Sequence, residues 1–297
     1  PVCGRRSADP VLVTATRRFR GRALAMPVVR LTAGVLLALT LIALLGPLVS
    51  PHDPVATGFD RILSPPSLSD GHLFGTDNLG RDLFVRTLEG TRTTLLVAVV
   101  ASLVSLVIGV LYGAIAGYVG GRLDAVMMRV VDTLYALPFI FLVILLMVAF
   151  ERNYFLIFVA IGAVNWLDMA RIVRGQTLSL KEREFVAAAR LTGVSNARII
   201  ARHIAPNLVG VVLVYLTLTI PQAVLVESFL SFLGLGVLEP GTSLGTLVAN
   251  GVGVLEPAPW VLAFPSLVLF AVLLAFNFLG DGLRDAADIR LGRGDRQ

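Results

Sequence analysis

The chain carries one cysteine, Cys3, and one lysine, Lys181, among 297 residues. A single thiol cannot close an intrachain disulfide and excludes a metal centre built on thiolates. A single lysine, with no Gly-x-x-x-x-Gly-Lys-Ser/Thr pattern around it, leaves no P-loop to cradle nucleotide phosphates. The three histidines, His52, His72 and His203, are scattered in sequence and read as polar loop residues rather than as a ligand cluster. Charge is scarce too: 15% of residues are charged, where a soluble domain carries about 25%. The net charge of +5 does not point to nucleic acid. Twenty-four of the 25 basic residues are arginines dispersed between apolar runs, with no basic patch beside stacking aromatics.

What the sequence has in abundance is apolar residues, 56% of the total. Crossing the hydrocarbon core takes about 20 of them in a helix, because backbone groups without water must bond within the segment. Six runs qualify: 28–49, 94–119, 127–150, 154–173, 207–232 and 259–280. The expectation is an all-α, polytopic membrane protein with six transmembrane helices. The fourth run is the least apolar, since it holds Asn165, Trp166 and Asp168. The first run has no small-residue cleavage site and reads as a retained span, not a signal peptide. Residues 1–27 read as a cytoplasmic tail, and part of its Arg-rich stretch 1–25 is expected to be an upstream extension. Residues 281–297 read as a second cytoplasmic tail.

Orientation follows from the arginines. With the N-terminus inside, the inner segments 1–30, 120–130, 171–205 and 281–297 hold 20 basic residues and the outer segments hold five. Cationic loops are retained in the cytoplasm, so both termini are expected there. Two outer segments exceed simple turns. Segment 50–93 is rich in Pro, Gly and Asp and suits an ordered loop. Asp77 and Asp82 flank Arg81, which allows local pairing and leaves two roles open: packing on the outer face, or contact with an external partner. Segment 233–258 has glycine breaks and no basic residue, and is expected to form a short re-entrant element.

Intramembrane charges are a functional hypothesis by default. Asp132 lies in the third span, with Arg129 as a local partner, and Glu227 lies in the fifth with no partner nearby in sequence. Each is a candidate for the translocation path, with an ion pair or an interhelical hydrogen bond as the alternative.

The inner loop 171–205 reads as helix, break, helix. Glu184 starts a run of helix formers through Ala187, Ala188 and Ala189, and its charge suits a helix N-terminus. Gly193 supplies a bend at the helix end, and Ser195 or Asn196 can cap a second helix, 197–205, ending at Pro206. Arg198 and Arg202 share one face of it; Ile199, Ile200 and Ile204 share another. Such an element can rest on headgroups, but consecutive alanines favour close approach to a protein groove.

This loop resembles the EAA motif of bacterial ATP-binding-cassette importers, through Ala187-Ala188-Ala189, Gly193 and Ile204-Ala205-Pro206. The motif's glutamate falls on Ala187, and Glu184 stands one turn earlier. Beyond about residue 30 the chain resembles the dipeptide/oligopeptide/nickel permease family, "C" subunit type. The matching stretches are Gly75-Thr76-Asp77 with Gly80-Arg81-Asp82, Gly117-Tyr118 with Gly120-Gly121 and Asp124, Leu230-Ser231-Phe232-Leu233-Gly234-Leu235-Gly236, and Phe276-Asn277 with Gly280-Asp281-Gly282-Leu283-Arg284-Asp285.

The resemblance implies a type I ABC importer permease fold in the bacterial inner membrane. It implies a second homologous permease, one or two ABC ATPase subunits that bind ATP and Mg, and an extracytoplasmic solute-binding protein or lipoprotein. No cofactor is expected in this chain. The ATPase contact would involve Glu184, Ala187, Ala188, Ala189, Gly193, Arg198, Arg202, Ile204 and Pro206; Asp77, Arg81 and Asp82 would meet the binding protein. Short peptides are the expected cargo, with a nickel chelate or another small solute such as heme as alternatives. A secondary transporter, a channel and an intramembrane enzyme are rivals that would need, respectively, repeated halves, a pore ring, or a His, Ser or Asp constellation within spans. None of these is evident.

Overall fold

The computed structural model describes residues 26–138, 141, 143–145 and 154–288. The tail residues 1–25 and 289–297, and residues 139, 140, 142 and 146–153 of the third run and its outer turn, lie outside the described residues. Among the described residues these helices follow in order: α1 (Pro27–Val49), α2 (Leu83–Val119), α3 (Gly121–Ala136), α4 (Tyr154–Lys181), α5 (Glu184–Leu191), α6 (Asn196–Phe232), α7 (Leu244–Val252) and α8 (Pro259–Asp288), with a 3-10 turn at Phe59–Arg61. Among the described residues there is no strand, only two isolated bridges, Ser67 with His72 and Thr76 with Asp82.

Among the described residues four helices, α1, α2, α6 and α8, are long and apolar enough to cross a membrane. The fourth predicted span lies inside α4, whose 28 residues extend about 42 Å at 1.5 Å each. The third begins within α3. That helix ends at Ala136 because Leu137, which precedes Pro138, takes an extended conformation.

Several predicted boundaries move. α2 starts at Leu83, not 94, because Asp82 caps it by accepting the Val85 N–H at 2.8 Å. The charged residues Arg86, Glu89 and Arg92 that broke the apolar run therefore ride on the helix, and the outer loop is 50–82. α4 runs on to Lys181, so the inner loop before α5 shrinks to a few residues. Residues 281–288, predicted as tail, continue α8.

α2 and α4 form the central pair, with α6 and α8 packed beside them and α1 against α2 and α8. α2 places Gly109, Gly113 and Gly117 against α4, where a Cβ at Gly109 would lie 2.5 Å from Met169 Cβ and one at Gly117 2.8 Å from Arg174 O. Only hydrogen at these positions lets the two backbones approach so closely, the small-residue packing that favours helix pairs in lipid. The second outer segment, where a short re-entrant element is expected, holds the nine-residue helix α7, which packs on α2, α6 and α8.

Candidate functional site

The inner end is built on α5. Val186 and Ala189 face inward and join a cluster with Tyr118 of α2, Val173 of α4, and Ile199, Ile204 and Leu208 of α6. The outward face carries Phe185, Ala187, Ala188, Arg190 and Leu191; Leu191 is 90% exposed. Of the three alanines, then, two are available to a partner and Ala189 anchors the helix. The helix closes in a Schellman turn: Gly193 N–H donates to Arg190 O at 3.0 Å and Val194 N–H to Ala189 O at 3.2 Å. Gly193 has φ +74°, the left-handed region that suits glycine, as the sequence indicated. Nothing lies within 4 Å of where its Cβ would stand, so conformation, not crowding, demands glycine.

Tyr118 fastens this turn to α2. Its hydroxyl donates to Asn196 Oδ1 at 3.1 Å, and the Arg190 guanidinium sits over its ring, 5.1 Å from the centroid. Asn196 is thus a latch residue. Ser195 occupies the N-cap position of α6 without a side-chain capping bond.

Pro206 does not end the second helix. α6 passes through it as one 37-residue helix, because residues Ile200–Ile204 widen into a π turn in which Ala205 N–H donates to Ile200 O. The wider turn relieves the clash between a proline ring and the carbonyl one turn earlier. Arg198 and Arg202 are exposed, whereas Ile204 is fully buried. The residues Asn196–Ile204 that follow the Gly193 turn are therefore continuous with a helix reaching the opposite end of the molecule.

At that opposite end α6 carries Glu227, 1% exposed. Its carboxylate accepts from Ser231 Oγ at 2.7 Å and from Thr94 Oγ1 of α2 at 3.2 Å. Thr94 Oγ1 also accepts the Leu244 N–H at the start of α7 at 3.0 Å, and the Ser231 and Ser243 hydroxyls are 3.2 Å apart. Of the two roles the sequence left open for Glu227, this geometry is that of an interhelical bond. The residue ties α6 to α2 and α7.

The outer loop is folded by the residues of its own motif. Gly75 and Gly80 take φ near +70° to +77°, and Asp77 Oδ1 accepts the Leu79 and Arg81 N–H groups at 2.8 and 3.0 Å. Arg81 Nε donates to Asp77 Oδ2 at 2.7 Å, and its Nη1 reaches Glu239 Oε2, in the second outer segment, at 2.7 Å. Arg86 joins the same group, with Nη2 3.3 Å from Glu239 Oε1. Burial raises the cost of charge on Glu239, but the Arg81 and Arg86 guanidiniums outweigh it and hold the carboxyl below the usual range.

Of the two roles left open for Asp77, Arg81 and Asp82, the geometry is that of packing within the loop. They are 4%, 3% and 3% exposed, and their polar groups are engaged with Arg86, Glu239, His72 and backbone. They brace the outer surface from below. Asp82 does not pair with Arg81 at all; its Oδ2 meets His72 Nδ1 at 2.8 Å.

A correction concerns Asp132. Its partner is Arg171 of α4, at 2.9 Å, rather than Arg129 one turn away. Arg171 also lies 4.0 Å over the Tyr135 ring, and Tyr135 donates to Asp168. One turn further in, Arg174 grips Asp124 through two bonds of 2.5 and 2.7 Å. That hydrogen bonding holds the Asp124 carboxyl below its usual range against the smaller opposing effect of burial. Asp132 and Arg171 keep side-chain exposures of 56% and 43%. Such exposure suits a water-filled path or a protein interface, not lipid.

Sequence reading overlooked Tyr118, Arg86, Glu239, Arg171 and Arg174, whose partners lie far away along the chain. It also passed over the glycine stripe, although Gly109, Gly113 and Gly117 at intervals of four were there to be read.

Residues 109–293 match the family described as binding-protein-dependent transport system inner membrane component. The chain is 48% identical to the oligopeptide transport system permease protein OppC of Haemophilus influenzae over 92% of this chain and 87% of that protein. It is 50% identical to OppC of Escherichia coli over 86% and 84%, and 45% identical to the dipeptide transport system permease protein DppC of Bacillus subtilis over 94% and 86%. Its fold resembles a chain from the inward-facing MetNI methionine ABC transporter, with TM-score 0.54 and 21% identity, covering 69% of this chain and 96% of that one. With the family match, the relatives and the helical architecture in agreement, this chain belongs to the binding-protein-dependent transport system inner membrane components, as a C-type permease of an ABC importer.

Proposed function

We propose that the chain forms half of a translocation pathway for short peptides, with a second homologous permease as the other half. An extracytoplasmic solute-binding protein or lipoprotein delivers the peptide. ATPase subunits, which bind ATP and Mg, seat on the outward face of α5; this chain holds no cofactor. Both termini lie in the cytoplasm, in keeping with the placement of the basic residues. The peptide cargo is supported by relatives named as oligopeptide and dipeptide permeases.

The observation that carries the ATPase contact is Leu191, almost fully exposed at the tip of a helix whose other face is buried in the core. A large apolar side chain so displayed gains by entering a partner's pocket. Because Val186 and Ala189 pack on Ile199 and Ile204, a shift of α5 is felt by α6, and α6 runs unbroken to Glu227 and α7. Closure of the ATPases would thereby reach the outer end of the bundle. Coupling requires that the nucleotide-bound assembly favour one of two permease states. Packing and the Arg198/Arg202 face take the place of the acid that Ala187 lacks.

Leu191→Asp in the reconstituted complex tests this reading. Peptide uptake and binding-protein-stimulated ATP hydrolysis are expected to fall on the order of tenfold or more, as for a lost interface anchor. The variant's own thermal midpoint should not change. Uptake and stimulation equal to the parent's would refute the assignment.

A further inference from the structure

The histidines that are scattered in sequence are not scattered in space. His52, just after α1, and His72, just before the Asp77 turn, stack with ring centroids 4.6 Å apart and planes 25° apart. Asp82, at the start of α2, meets His72 Nδ1 through Oδ2 at 2.8 Å. One ligand atom from each of the three residues lies within 4.8 Å of the other two. His72 and Asp82 are buried, and His52 Nε2 is a buried atom with no hydrogen-bond partner.

An imidazole nitrogen shut away from water without a partner is costly unless something satisfies it. A second imidazole and a carboxylate beside it form a ligand set suited to borderline divalent ions. Ligands held about 2.0–2.2 Å from a tetrahedral ion stand about 3.3–3.6 Å apart, so His72 Nδ1 and Asp82 Oδ2, now 2.8 Å apart, part by about half an ångström to admit one. The movable part is the His52 ring, whose Nε2 makes no bond that holds it in place. Arg61 lies against the group, with Nη1 3.4 Å from His72 Nε2; its side chain is 53% exposed and can turn into solvent.

We propose that His52, His72 and Asp82 form a binding site for a divalent transition ion of the zinc class, with water completing the sphere. The ligands are His52 Nε2, His72 Nδ1 and Asp82 Oδ2. On binding, the His72 proton moves from Nδ1 to Nε2, where Arg61 withdraws to admit it. The ion would join the segment after α1 to the N-terminus of α2 and so cross-link the outer loop at its base. This site is independent of the peptide and ATPase assignments above.

The test is calorimetric titration of zinc chloride into the detergent-solubilised full chain, prepared without a polyhistidine tag and with Cys3→Ser. Saturable binding of one zinc per chain is expected, with affinity at least tenfold weaker in His52→Ala, a loss typical of a removed ligand. Asp82 is left intact because it caps α2. The metal-free thermal midpoint of His52→Ala, expected at the parent value, checks the fold, and His52→Gln serves if it falls. Cobalt in place of zinc should give visible d–d absorption in the parent and none in the His52 variants. Absence of saturable zinc binding, or equal affinity in the parent and the His52 variants, would overturn the proposal.

Discussion

At the outer end of the molecule, Arg81 and Arg86 meet Asp77 and Glu239 in a mostly buried network of charge that joins two loops far apart in sequence. At the inner end, α2 and α4 meet through bare glycine faces at Gly109, Gly113 and Gly117, and the charged rung there is Asp124 with Arg174. The two ends look alike as sequence, since both are polar segments between apolar runs. They differ in where their charges point. Outside, the motif residues are consumed in folding the loop, and a partner would meet what lies above them. Inside, backbone approach holds the helices, and one face of α5 remains on the surface while Val186 and Ala189 pack inward.

The comparison is broken most directly by removing an outer arginine. Arg81→Ala leaves Glu239 and the buried Asp77 without their main partner, and breaking one member of a buried ion network costs about 3–5 kcal/mol. Thermal unfolding of the solubilised protein should show a large fall in midpoint; a change within error would mean that the network is not what holds the loops.

At the inner end the matching change is steric. Gly113→Leu drives a side chain into the backbone of α4 around Ala170, where no flexible neighbour can yield. Overpacking of this kind costs about 1–3 kcal/mol. The same unfolding assay should place its midpoint above that of Arg81→Ala and below that of the parent, and a parent-like midpoint would show that the helices are not in close contact.

Asp124→Asn should have the smallest effect, about 1 kcal/mol, because the pair with Arg174 borders solvent. Its sign with pH is fixed. The folded carboxyl titrates below its unfolded value, so the pair stabilises above roughly pH 4 and loses this contribution as pH falls through the folded value. Stability of the parent should therefore drop more steeply than that of Asp124→Asn over this acid range.

Much of the fold was legible before any coordinates. The α5 helix, the Gly193 bend, and the ends of α2 at Val119 and α6 at Phe232 fall where propensity and apolar pattern put them. Helix starts were less legible. Asp82 caps α2 well before its apolar run begins, because a cap is set by a hydrogen bond and the bilayer sets only hydropathy. Pro206 misled for a related reason: a proline forbids one hydrogen bond, and a π turn dispenses with it. The site partners were the least legible. Arg171 rather than Arg129 holds Asp132, and Glu239 holds Arg81 across 158 positions, since charges pair with what packing brings near.

By itself the sequence determined the solvent, the helical class and the helix–glycine–helix element, because hydrophobic length, the demand for internal backbone bonding and the left-handed preference of glycine are local properties. Tertiary structure alone decided that Asp77, Arg81 and Asp82 face inward, that Glu227 bonds three helices together, and that His52 and His72 stand side by side. Those outcomes depend on which segments pack together, and no local rule of the chain contains that information.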